Sequence, residues 1–255
     1  MIELAHDSGY VRDFLAGTLP AAVIRRIGFP WSEGLVRRTL ASVGGTLQAT
    51  QDAFTRGWGG NLAGGTHHAF RGEGSGFCVF NDIAIAIEWL RSKGRVRRAA
   101  ILDLDVHQGD GTAQIFQNEP NVLTISVHCK SNFPFRKQRS TLDVELAEGV
   151  GDEEYLRVLD QTLPVLTAFE PEITFYQSGV DGLASDTLGK LALTYEGLKE
   201  RDRRVAAALK SHGIPMVATL GGGYSTPIDH TVRAHANTFL SVDEIFRTAE
   251  EIKTA

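Results

Sequence analysis

Cysteine is scarce: Cys78 and Cys129 are the 2 thiols in 255 residues. Two thiols so far apart make no disulfide framework, so both are read as reduced and partly buried. Long hydrophobic runs are missing, and no apolar stretch approaches the roughly 20 residues that span a bilayer as a helix. The start, Met1-Ile2-Glu3-Leu4-Ala5-His6-Asp7, has neither the basic region nor the apolar core of a secretory leader. A basic excess is also lacking. The 26 Lys and Arg are outnumbered by 31 Asp and Glu, and the net charge of −5 excludes bulk attraction to nucleic acid or an anionic membrane. The arginines that do cluster, at Arg25-Arg26, Arg37-Arg38, Arg95/Arg97/Arg98 and Arg136/Lys137/Arg139, read as solvated faces. No internal repeat, linker or low-complexity run divides the chain. The expectation is one globular cytoplasmic domain over residues 1–255, with no membrane span and no direct nucleic-acid partner.

Apolar runs alternate with amphipathic ones. Strands are read at 98–104, 122–127, 173–178 and 215–220. Helices are read from Glu33 to Phe54 behind a Ser32 cap, and from Asn81 or Asp82 to Gly94. Further helices are read at 112–118, from Glu153 to Phe169 behind Asp152, from a Thr194 cap to Ser211, and through 228–253. Gly44-Gly45 marks close packing or a bend, and Pro164 a kink. The glycine-rich residues 58–78 and the aperiodic residues 128–150 read as loops. Strands alternating with helices argue for an α/β fold: an open parallel sheet with helices on both faces. Ligands of such sheets bind beyond the carboxyl ends of the strands.

The polar candidates cluster at those ends. Asp103-Leu104-Asp105-Val106-His107-Gln108-Gly109-Asp110 follows the apolar run Ala99-Ala100-Ile101-Leu102. Strand alternation turns Asp103, Asp105 and His107 to one side. Two acids and an imidazole buried together need a cation. Asp181 follows the strand at 173–178. Three protein ligands, Asp105, His107 and Asp181, leave a position for water, as catalytic rather than structural zinc sites do. The donor set equally suits Fe(II), Co(II) or Mn(II). His67-His68 lies in the glycine-rich loop, and paired imidazoles can divide proton transfer between base and acid. Asp103 and Asp110 are carboxylates free to fix their tautomers. Tyr224, after Gly221-Gly222-Gly223, either packs or presents its hydroxyl to a developing oxyanion.

Five ordered blocks carry a family resemblance. They are Gly64-Gly65-Thr66-His67-His68; Gly74-Ser75-Gly76-Phe77-Cys78-Val79-Phe80-Asn81-Asp82; Asp103 to Gly111; Gly179-Val180-Asp181 with Asp186 and Leu188-Gly189; and Gly221-Gly222-Gly223-Tyr224. From about His6 to Leu240 the chain resembles the zinc-dependent histone deacetylases. Gly28-Phe29-Pro30-Trp31-Ser32 and Asn61 to His68 look most like the class IV branch and its bacterial relatives.

The resemblance implies an arginase/deacetylase fold and hydrolysis of an N-acyl-lysine peptide, protein or small acylated amine. It implies zinc on Asp105, His107 and Asp181, and His67 paired with Asp103 and His68 with Asp110. His67 and the metal would activate water, Tyr224 would steady the oxyanion, and His68 would protonate the leaving amine. Gly76, Phe77, Phe133 and Leu188 would form the acyl-lysine tunnel. Potassium would be held by Asp103, Asp105, His107, Ser126 and Val127, partly through carbonyls. The class IV likeness further raises long-chain deacylation.

The family usually carries a further strand and helices before the segment matching His6 to Leu15, so the sheet is expected to lack its usual first strand. The position of the family's substrate-clamping aspartate falls near Ser8, beside Asp7, and is left unassigned. Two other readings remain. A binuclear ureohydrolase needs bridging carboxylates where Gly109 and Leu183 stand. An acyl-lysine-binding module without turnover is opposed by the complete set of catalytic positions.

Overall fold

The apolar runs become the strands of a six-stranded, all-parallel sheet in the computed structural model, which describes residues 1–247. In chain order the elements are α1 (Ser8–Ala16), α2 (Ala21–Ile27), α3 (Glu33–Arg56), β1 (Trp58–Asn61), α4 (Asp82–Ser92), β2 (Ala99–Asp103), α5 (Asp110–Phe116), β3 (Val122–Cys129), β4 (Leu142–Leu146), α6 (Asp152–Ala168), β5 (Thr174–Gln177), α7 (Tyr195–Ser211), β6 (Met216–Thr219) and α8 (Asp229–Phe246). The strands lie in the order β1-β6-β5-β2-β3-β4. Residues 248–253 of the last expected helix lie outside the described residues.

Strand alternation divides the core in two. Ala100, Leu102, Leu123, Ile125, Tyr176 and Met216 pack on one face with buried residues of α6, α7 and α8. Ala99, Ile101, Phe175 and Val217 pack on the other with α1, α3 and α4. Each such buried Leu or Ile contributes about 1.5–3 kcal/mol of transfer free energy. Helix starts follow the expected chemistry where a side chain reaches the first free N–H groups. Ser32 accepts from Leu35 N, Asn81 from Ala84 N and Thr194 from Gly197 N. Asp152 departs from this. Gly151 is the N-cap of α6, and the Asp152 carboxylate accepts instead from the backbone and hydroxyl of Thr194, at 2.9 and 2.6 Å, tying the starts of α6 and α7 together.

Two strands stand where loops were expected. Trp58-Gly59-Gly60-Asn61 forms β1 because α3 crosses it too closely for side chains: a Cβ on Gly59 would lie 2.0 Å from the Ala49 carbonyl oxygen. The same closeness settles Gly45, whose Cβ would lie 2.6 Å from Asn61 Oδ1, and α3 runs unbroken through it. Residues 142–146 form the edge strand β4, mostly half-exposed, so no buried run announces it.

The strand order reverses between β2 and β5. β3 and β4 extend the sheet on one side of β2, whereas β5, β6 and β1 extend it on the other. Beyond the carboxyl ends of that pair the diverging loops leave a crevice.

Candidate active site

Asp103 and Gln177 are register partners, and β2 and β5 both end at this pair. The expected strand alternation of Asp103, Asp105 and His107 therefore stops at its first member. Beyond it the side chains turn the backbone: Asp103 Oδ1 accepts from Asp105 N at 3.1 Å, and Asp105 Oδ1 from His107 N at 2.9 Å. The loop after β5 brings in Asp181. Ligand atoms of Asp105, His107 and Asp181 lie within 4.8 Å of one another. His107 Nδ1 is 3.0 Å from Asp105 Oδ1 and 3.0 Å from Asp181 Oδ2.

Backbone groups hold the outer oxygens of both carboxylates. Val106 N donates to Asp181 Oδ1 at 2.9 Å, and Gly222 N to Asp105 Oδ2 at 2.7 Å. The Gln177 amide also donates to Asp105 Oδ2, at 3.2 Å. A Cβ at Gly222 would lie 1.9 Å from Asp181 Oδ2, so only glycine brings this N–H so close.

Both carboxylates are buried, and their mutual repulsion is visible in their titration. Burial and the Asp105 charge push Asp181 up to about 7. Against its own burial, Asp105 is held well below the usual carboxylate range by His67 and His107. The two carboxylates outweigh burial at His107 and raise it to about 11. The site thus demands positive charge between two acids and an imidazole. A divalent ion on these oxygen and nitrogen donors meets that demand, so the residues fit a metal.

His67 and His68 lie beside this centre, their rings 4.1 Å apart. Asp82, in the first turn of α4, fixes their loop by accepting from the N–H groups of Gly65 and Thr66 at 3.1 and 2.9 Å. His67 Nδ1 donates to Asp103 Oδ2 at 2.7 Å, and His68 Nδ1 to Asp110 Oδ1 at 2.6 Å. His67 Nε2 faces Asp105 Oδ1 at 4.0 Å. Burial depresses His67, but Asp103 and Asp105 overcome it and raise the group to about 9. Burial and the neighbouring His67 lower His68 to about 4. A divalent ion on Asp105, His107 and Asp181 would offset the carboxylate charge that raises His67 and so release its Nε2 proton.

Tyr224 is pinned by its backbone. Its N–H donates to Asp186 Oδ2 at 2.6 Å and its carbonyl accepts from Thr187 Oγ1 at 2.7 Å. Burial, then Asp105 and Asp181, push its hydroxyl above the usual phenol range, so it keeps its proton. A cavity of about 590 Å³ is lined by Asp105, His107, Asp181, His67, His68 and Tyr224, and by residues of α3.

The histone deacetylase domain model matches residues 1–240. The chain belongs to the histone deacetylase family. It is 49% identical over 236 residues to an uncharacterized protein of Picosynechococcus, covering 92% of this chain and 79% of that one. It is 37% identical to Histone deacetylase 2 of Arabidopsis thaliana over 71% of this chain and 48% of the relative. Against the "Probable deacetylase" of Archaeoglobus fulgidus the identity is 36%, over 75% of this chain and 57% of that one. The chain thus spans about half the length of these last two relatives. Among solved structures, an HDAC homolog complexed with SAHA superposes with a TM-score of 0.80 at 28% identity, over 96% of this chain and 69% of the other. An HDAC homolog from Aquifex aeolicus gives 0.78 at 25% identity, over 96% and 74%.

Within this histone deacetylase fold the expected tunnel residues separate into two groups. Gly76 and Phe77 line the cavity, with Phe77 in the left-handed region at φ 64° and its ring 6.4 Å from that of Tyr224. Phe133 packs edge-on against His68 at 5.0 Å. Leu188 is half-exposed and is not among the cavity-lining residues; its carbonyl accepts from Asn132 Nδ2 at 2.7 Å, and that amide lies 3.4 Å from His107 Nε2. Of the residues implied for potassium, Asp103 is the register partner of Ser126 with Val127 next along β3, whereas Asp105 and His107 lie in the loop after β2.

Sequence reasoning passed over Gln177, Asn132 and Arg201. Gln177 left a signal, an amide closing a buried strand, and Asn132 left none. Arg201 left only its Arg201-Asp202 pairing within a helical run. Its fully buried guanidinium donates to the carbonyls of Gly179 at 2.7 Å, Ser178 at 3.3 Å and Leu104 at 3.4 Å. It therefore braces both loops that carry the metal-ligand candidates.

Proposed function

We propose that this chain is a metal-dependent deacylase that hydrolyses the amide of an N-acyl-lysine or a related acylated amine. The observation that carries the reading is the convergence on one cavity of Asp105, His107 and Asp181 with two carboxylate-oriented histidines and a protonated tyrosine. Asp105, His107 and Asp181 would hold the ion, of which zinc is the family-typical choice; bound there, it supplies a Lewis acid for the amide carbonyl and acidifies water. His67, whose Nε2 faces Asp105 and which would be neutral once an ion offsets that carboxylate, is assigned to accept the proton of the attacking water. His68, held by Asp110 and bounded by Phe133, is assigned to help pass that proton on to the departing amine. Tyr224 donates its hydroxyl to the oxyanion as the carbonyl becomes tetrahedral. Gly76 and Phe77 guide the acyl-lysine stem, with Phe133 covering His68. Potassium near Asp103, Asp105, His107, Ser126 and Val127 would balance the remaining negative charge.

The test is acyl-lysine hydrolysis by purified protein, measured beside its metal content. Hydrolysis that falls with chelation and returns with about one equivalent of divalent ion per chain supports the reading. Turnover unaffected by loss of the ion, or no turnover with the ion bound, overturns it. A panel running from acetyl to fatty acyl groups places the chain-length preference. No helix among the described residues is long and apolar enough to cross a membrane.

A further inference from the structure

The cavity that holds the metal-ligand candidates continues along one face of α3, lined by Leu35, Arg38, Thr39 and Ser42. Outside the His67, His68, Asp105, His107 and Asp181 centre, Arg38 is its one fully charged side chain among the described residues. The guanidinium stands 5.3 Å above the Phe29 ring, which packs at 5.2 Å against Phe77, which in turn faces Tyr224 at 6.4 Å. Three stacking steps thus link an exposed cation to the catalytic tyrosine. Arg37, the preceding residue, pairs with Glu33 at 3.5 Å, whereas Arg38 has no carboxylate partner among the described residues. Two further acids are engaged elsewhere. Glu73 pairs with Arg26, and Asp186 accepts from the N–H groups of Tyr224, Leu188 and Gly189 at 2.6, 2.9 and 2.8 Å.

An unpaired guanidinium over an aromatic face, on the wall of a reaction cavity, is a ready carboxylate receptor. Resting on the deacylase reading above, we propose that Arg38 is an anion-binding subsite and that the preferred substrates are acylated amines bearing a carboxylate. An acyl-lysine beside Asp or Glu belongs to that class, and cationic acylpolyamines are disfavoured.

Three acetyl-lysine peptides differing only in flanking charge (Asp, Ser or Arg) test this with the metal-loaded protein. At low salt the acidic peptide should exceed the neutral one by about 3- to 5-fold in kcat/KM, the span of an exposed ion pair, and the basic peptide should trail it. The difference should lie in KM and should close at about 1 M salt. Arg38→Gln should abolish the ranking and Arg38→Glu reverse it, while Arg37→Gln keeps it. Gln and Glu are both good helix formers on an exposed turn of α3, so folding is preserved in all three variants. Equal rates for the three peptides in the unaltered protein, or a ranking that survives Arg38→Gln, overturns the proposal and leaves the deacylase reading standing. If neither these peptides nor their fatty-acyl counterparts are hydrolysed, the deacylase reading falls instead. Peptide affinities by fluorescence polarisation then decide Arg38: tighter acidic binding upholds the subsite and equal binding removes it.

Discussion

Replacing Arg201 with methionine probes the brace behind the metal-ligand candidates. The Arg201 guanidinium is fully buried, donates to Asp202 through Nε at 2.9 Å, and holds three carbonyls from the β2 and β5 loops. Asp202 accepts from the Tyr176 hydroxyl at the same oxygen, Oδ1, and its Oδ2 has no partner. Arg201→Met leaves a buried carboxylate without its cation and takes a donor from three carbonyls, of which Leu104 keeps the Tyr155 hydroxyl at 3.5 Å. Breaking a buried pair from one side costs about 3–5 kcal/mol. In a chain of this size that lowers the thermal midpoint by about 6–10 °C. Arg201→Met with Asp202→Leu removes both charges, and apolar replacement of a whole buried pair is often near neutral, so the double variant should regain most of the loss. Metal affinity should not recover with it. Leu104 lies between Asp103 and Asp105, and Gly179 two residues before Asp181, so freeing their carbonyls loosens the ligands in both variants. Lost outer support typically costs 10- to 100-fold in affinity, roughly 1.4–2.7 kcal/mol. The assay is urea unfolding of the metal-free proteins beside competition of each folded variant with a chromophoric chelator. A single-variant cost under about 1 kcal/mol, or metal binding by the double variant equal to that of the unaltered chain, would refute this account.

Tyr224→Phe should lower kcat by about 100- to 1,000-fold with metal content unchanged if the hydroxyl serves the oxyanion as proposed; parallel loss of metal would contradict that role. Gly222→Ala places a Cβ 1.9 Å from Asp181 Oδ2 and should cut metal occupancy after dialysis at least about 10-fold, so full occupancy would sink the packing argument. His6 is a pH-linked element of stability. Its buried ring accepts from Asn81 N at 2.9 Å, and burial lowers it to about 4. The unfolded chain takes up this proton near pH 6.5 and the folded chain only near 4, so the contribution is complete above pH 6.5 and lost as pH falls toward 4. That amounts to about 3 kcal/mol, and His6→Gln, which keeps an acceptor without the titration, should flatten unfolding free energy against pH by this amount. Identical slopes would reject the assignment.

Most of this site could be read before any coordinates, because it depends on residue types that are costly to bury without a purpose. Asp105, His107 and Asp181 stood at strand ends, and the structure brings them to one point. What escaped depended on partners distant in sequence. Gly59 reads as loop until α3 crosses it, and β4 has no buried run to reveal it. Arg201 and Arg38 belong to similar charged helical patterns, yet one is sealed in the core and the other stands on a cavity wall. Periodicity places a charge on a helix, but only packing says what lies opposite.

The meeting of β2 and β5 also governs when the site can come into being. Some seventy residues, including β3, β4 and α6, are synthesised between the two strands, and β5 must then return to lie beside β2. A growing chain that has made Asp105 and His107 still lacks Asp181, and a released chain lacks the three-ligand centre until this distant pairing closes. Ion capture would therefore mark completed folding rather than nucleate it, and a nick in the β3–β4 connection would spare the centre only if β5 stayed docked.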